Sequence, residues 1–138
     1  MRIVQNPYTK RIRFLALFTI LIDIALTLFG QSKEYWHQAA TVREGNELFQ
    51  FFGEIDPTTF VTSLFSYAAI MFLLISFVPS RIAYAGSLAL IFGHYYGASS
   101  WLTWFYGFGV QAAVIYAVLL SLALVYLDTE ICSRGNGA

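Results

Sequence analysis

The sequence predicts an all-α integral membrane protein, a bundle of four transmembrane helices with a short amphipathic helix in the first outer loop and both termini in the cytoplasm. Three observations carry this. Of 138 residues, 58% are hydrophobic and only 12% charged, about half the charge of an ordinary soluble domain. Uncharged apolar runs cover 58–78, 82–104 and 108–127, each near or above the roughly 20 residues that a helix needs to cross about 30 Å of hydrocarbon. The lysines and arginines, finally, fall unequally on the two sides of these runs. The whole chain, 1–138, reads as one membrane domain.

The first span, 14–30, is shorter and contains Asp23. A basic flank precedes it, and one acid costs only about 3 kcal/mol on insertion scales. A signal peptide is the poorer reading, because Leu28 stands where a cleavage motif wants a small residue. In the outer loop, 31–57, Thr41 and Glu44 match a capping box, and Leu48, Phe51, Phe52 and Ile55 recur behind it at helical spacing. This predicts a short helix on the outer surface or lidding the bundle. Asp56-Pro57 is a helix start, with an acceptor for free amides and a proline where no N–H is needed; Pro79-Ser80 repeats it. Gly107 and Gly109 bracket the last turn, beside Trp101, Trp104 and Tyr106 as an aromatic belt, with Tyr35 and Trp36 at the same level. The tail from Ser133 to Ala138 reads as loose.

Cytoplasmic segments keep lysine and arginine in excess. Arg2, Lys10, Arg11, Arg13, Arg81 and Arg134 fall on one side and only Lys33 and Arg43 on the other, which places both termini in the cytoplasm. A net charge of zero offers no field for nucleic acid. The single cysteine, Cys132, excludes an internal disulfide and a Cys-rich zinc site, and palmitoylation is its one alternative to an idle thiol. No motif indicates a cofactor, neither haem attachment nor nucleotide binding.

The polar residues of the spans carry the functional argument. Thr19, Asp23 and Thr27 share one face of the first helix. Asp23 precedes Gly30 by seven residues, roughly 10 Å below the outer end, and His94 lies roughly 9 Å from the same side. Gln111, Thr62, Ser63, Ser66 and Tyr67 fall in the same outer half. Polar groups in hydrocarbon are costly unless they meet one another, so an outward-opening polar pocket is predicted, with Glu44, Asn46 and Glu47 above it. Asp23, His94 and Glu44 are the candidates for catalysis or for a metal site, since a histidine and two carboxylates can hold zinc with a position left for water. No HExxH and no histidine pair accompanies them, and His37 reads as a solvated loop residue. The plainer alternative is a structural hydrogen bond between Asp23 and His94, with Glu44 closing the capping box, Thr19 and Thr27 bonding their own helix, and Gln111 making one interhelical bond.

Two small-residue stripes, Ala85, Ala89, Gly93 and Gly97 in the third span and Ala113, Ala117 and Ser121 in the fourth, let backbones approach closely. They predict antiparallel packing of these two helices or contact with another subunit.

The run Leu21-Ile22-Asp23-Ile24-Ala25-Leu26-Thr27, followed by Glu44-Gly45-Asn46, resembles an uncharacterised family of small four-helix prokaryotic membrane proteins with an Asp-x3-Thr motif and a later Glu-x-Asn-Pro. Glu47 stands where that family has proline. The resemblance covers about a third of the chain and implies that Asp23, Thr27, Glu44 and Asn46 belong to one site, in a prokaryotic cytoplasmic membrane. It implies no activity.

Three functions compete. The first is an accessory subunit of a larger membrane complex, in contact with lipid and with other membrane subunits or copies of itself. The second is an intramembrane hydrolase or transferase, and the third a small transporter or proton-coupled binding protein. With one acid and one histidine in the spans, the first is the leading expectation.

Overall fold

The computed structural model describes residues 7–37, 41–106 and 109–135. Among these every regular element is helical: α1 (Pro7–Phe29), α2 (Glu47–Ile55), α3 (Pro57–Phe77), α4 (Ser80–Ser100), a π-helical turn over Trp101–Phe105 that continues α4, and α5 (Gly109–Gly135). Three stretches are long and apolar enough to cross a membrane, Lys10–Phe29, Pro57–Phe77 and Gly109–Leu127. α4 is not among them, since Arg81, His94 and its serines, glycines and tyrosines dilute its hydropathy.

α1 begins seven residues before the apolar run, and Pro7 suits a first helical position. α5 continues to Gly135, through the start of the tail read as loose. Arg2, Gly107 and Phe108 lie outside the described residues, as do the side chains of Trp104, Cys132 and Arg134. α3 starts as its sequence predicts, with the Asp56 carboxylate accepting from the Thr59 amide at 2.9 Å and from its hydroxyl. These bonds hold the Asp56 carboxyl below its usual range. At the far end of α3, Arg13 of α1 donates to the Val78 carbonyl at 3.4 Å, so the basic end of α1 lies beside the C-terminus of α3, where a cation opposes the helix dipole.

The short helix expected between the first two spans is present, but its expected cap is not. α2 starts at Glu47, and its cap is Asn46, whose Oδ1 accepts from Leu48 N at 3.0 Å and Phe49 N at 3.4 Å. Thr41 is five residues too early, and Glu44 instead accepts from Asn46 N at 2.8 Å, a two-residue turn that sets up the cap. Leu48, Phe51 and Ile55 point outward, whereas Phe49 turns in and meets Tyr67 edge-on.

Between helices in lipid there is little hydrophobic drive, so close packing and polar contacts hold them. α4 packs most extensively on α1. Its buried stripe is Ala83, Ser87, Ile91 and Ala98, α1 buries Ile12, Ala16, Thr19 and Ile20, and Ile91 shares a core cluster with Ile12 and Ala16. Ala85, Ala89 and Gly93 lie on the opposite side and are exposed, so this stripe does not join α4 to α5. Of the α5 stripe only Ala113 is buried, with Ala117 half-buried and Ser121 exposed; Leu120 marks the same buried side. Trp101 and Tyr106 are likewise no interface belt: Trp101 is buried and the Tyr106 hydroxyl donates to Leu26 O at 3.0 Å. Tyr35 is fully buried too, its hydroxyl donating to Gly53 O at 3.3 Å.

Candidate functional site

α1, α3 and α4 converge on three polar side chains, those of Asp23, Tyr67 and His94. His94 Nδ1 lies 2.8 Å from Asp23 Oδ2, and His94 Nε2 lies 3.2 Å from the Tyr67 hydroxyl. The geometry accommodates a ring that donates from Nδ1 to the Asp23 carboxylate and accepts at Nε2 from the Tyr67 hydroxyl. Both ring nitrogens are engaged and three helices are tied by one chain of bonds. Asp23 and His94 keep 17% and 15% of their side chains accessible, so the relay is reached from a cavity and not sealed in a core.

That approach depends on a missing side chain. A Cβ built on Gly97 would stand 2.6 Å from Asp23 Oδ2 and 2.8 Å from Oδ1, so glycine is what lets the carboxylate lie against α4. One turn outward the same device recurs, because the Trp101 ring occupies the space where a Cβ of Gly30 would be. The π-helical turn that begins at Trp101 brings its ring under the end of α1. Extra-wide turns of this kind are frequent at functional sites.

Above the relay runs the segment from Val42 to Asn46. Its anchor is Gln31, whose Nε2 donates to Arg43 O at 2.7 Å and Thr27 O at 3.1 Å while its Oε1 accepts from Arg43 N at 2.8 Å. Gln31 is buried, and sequence reasoning missed it; as the first polar residue after an apolar span it was the visible signal. Burial pushes the Glu44 carboxyl above its usual range, with the Asp23 carboxylate adding to the push and the amides of Asn46 and Gly45 opposing it.

Between segment and relay lies an open cavity of about 870 Å³ whose lining includes Asp23, Thr27, Glu44, Asn46, Tyr67 and His94. The four residues grouped by the motif resemblance therefore line one space. Ala89, Gly93 and Gly97 form its α4 wall, which is where the exposed stripe goes, and a Cβ on Gly93 would meet nothing within 4 Å. Thr62 and Ser63 line a neighbouring groove and Glu47 is outside the cavity lining, and two further expected members are elsewhere. Ser66 is exposed on a neighbouring groove, and Gln111 is exposed on α5, beside Gly109. Both have the right depth and the wrong azimuth. Thr19 is buried and donates to Leu15 O at 2.8 Å.

Asp23, Glu44 and His94, the metal candidates, all line this cavity. Asp23 and His94 are taken up with each other, Glu44 serves its own turn, and among the described residues no three of His, Cys, Asp and Glu come together to hold an ion. Chemically, the arrangement presents a base oriented by a carboxylate and covered by a phenol. No family model, curated protein or solved structure matches the chain.

Proposed function

We infer that this is a small integral membrane protein that binds a ligand bearing a hydrogen-bond-donating group, entering from the outer side and coupled to a proton held by the Asp23–His94–Tyr67 relay. The observation that carries it is the bond from Tyr67 to His94 at the cavity floor. A donor that displaces Tyr67 from Nε2 meets a base already oriented, and a proton passing to Nε2 leaves an imidazolium beside the Asp23 carboxylate. α4 completes the bundle as a fourth span, with Ser87 buried and His94 lining the cavity, and with both termini cytoplasmic in a prokaryotic inner membrane. The excess of basic residues on that side supports this orientation. The rival role, an accessory subunit or homo-oligomer, rests on the exposed apolar faces of α3 and α5, and lipid contact requires the same faces.

In a Cys132→Ser background, Gly93→Cys puts a thiol into open cavity space. A membrane-impermeant methanethiosulfonate reagent applied to the outer face should modify it, while Ile82→Cys, on an exposed apolar position of α4, stays unmodified. A Gly93→Cys chain that reacts only from the cytoplasmic face, or not at all, would sink the reading.

A further inference from the structure

The geometry points to a long-chain amine as the ligand: one membrane amphiphile with its ammonium head in the cavity beside the relay and its hydrocarbon chain in the groove between α2 and α3. This rests on the binding function proposed above and names its ligand class.

Two spaces adjoin. The groove, of about 610 Å³, is open and lined chiefly by apolar surface, including Phe52, Ile70 and Met71, and it shares Leu48, Phe49 and Tyr67 with the cavity. Tyr67 is the joint, since its ring forms groove wall while its hydroxyl reaches His94. A ligand filling both spaces must be polar at one end and apolar at the other. The head must also suit the charge around it. Besides His94, the cavity lining holds two acids, Asp23 and Glu44, against one base, Arg43. Lys33 and Arg43 face five acids in the whole outer segment 31–57, so the entrance favours cations. Aromatic rings of Phe49, Tyr67, Tyr96 and Trp101 line the same cavity, and an ammonium is stabilised over such faces. An anionic head would meet two carboxylates with only Arg43 to answer them.

The experiment uses the full chain in phosphatidylcholine nanodiscs with hexadecylamine carrying a mid-chain diazirine, against hexadecanoic acid and hexadecanol with the same label. Photolysis and peptide mapping should find the amine's label on the α2–α3 groove, around Phe52, Ile70 and Met71, with about tenfold more incorporation than from the acid, the ratio that a 1.4 kcal/mol preference gives. Ser66→Trp or Thr62→Trp, both at exposed groove positions, should abolish groove labelling. Gly93→Leu, which fills the cavity, should abolish the amine's advantage over the acid. Equal labelling by amine and acid, or label spread over lipid-facing α5, overturns the proposal. If outer-face modification of Gly93→Cys persists in that case, the cavity reading stands and only the ligand class falls; if that reactivity is missing as well, both fall.

Discussion

The carboxylate of Asp23 lies against the bare Cα of Gly97, so close that a single methyl group there would stand 2.6 Å from Oδ2. An acid inside a bilayer must meet a partner, and here a neighbouring backbone yields the room that lets it reach one. Gly97→Ala should therefore push Asp23 off His94. Overpacking of this kind costs about 1–3 kcal/mol. Denaturant unfolding in micelles reads the cost, and the NMR tautomer signature of His94 reads the lost partner. Unchanged stability with an unchanged tautomer would count against the contact.

Gly30 and Trp101 form a second close approach, and it should show as coupling. Gly30→Ala alone is expected to destabilise by about 1–3 kcal/mol, because a Cβ would overlap the indole. Combined with Trp101→Leu, the added cost of the alanine should largely vanish. A double-mutant cycle in thermal unfolding measures this, and additive effects would contradict the packing.

Gln31→Leu should free the outer segment without dismantling the bundle. It removes two bonds to the Arg43 backbone and one to Thr27 O, a loss of about 1–3 kcal/mol when the exposed partners are buried. Hydrogen exchange should rise sharply across residues 42–46 while the buried stretch of α1 keeps its protection. Exchange that rises equally in α1 would mean that Gln31 supports the bundle and not the segment.

Glu44 sets a pH dependence whose sign is fixed by its raised pKa. The folded protein binds this proton more tightly than the unfolded chain does. Its contribution is thus fully present below the usual carboxylate range and is lost as pH rises through the elevated value. Thermal unfolding followed between about pH 4 and 8 should show a loss of stability with rising pH that Glu44→Gln diminishes. Asp56 works in the opposite sense, since its lowered pKa keeps its cap intact until pH falls through that depressed value. Glu44→Gln with the wild-type profile would contradict the assignment.

Length and composition made the helices legible, because the solvent rewards long apolar runs whatever they pack against. Depth was legible as well: counting 1.5 Å per residue brought Asp23 and His94 to one level, and they do meet. Azimuth was not. Ser66 and Gln111 share the level but face away, and nothing local in a sequence fixes the roll of a helix about its axis. The same freedom misdirected the small-residue stripe of α4, where Ala89 and Gly93 make room in a cavity and not a helix seam. At the start of α2 the cap is Asn46 and not Thr41, and Phe49, three positions after Asn46, packs on Tyr67.

Asp23 and His94 are 71 residues apart in the chain. During synthesis at about 5–20 residues per second, the carboxylate is therefore made seconds before the imidazole that will receive it. A first helix released early into lipid would carry an unmatched acid, so the order of the sequence favours holding α1 at the insertion machinery until α4 arrives. The pairing that shapes the finished cavity can therefore form only after α4 has been made, and it joins chain segments 71 residues apart.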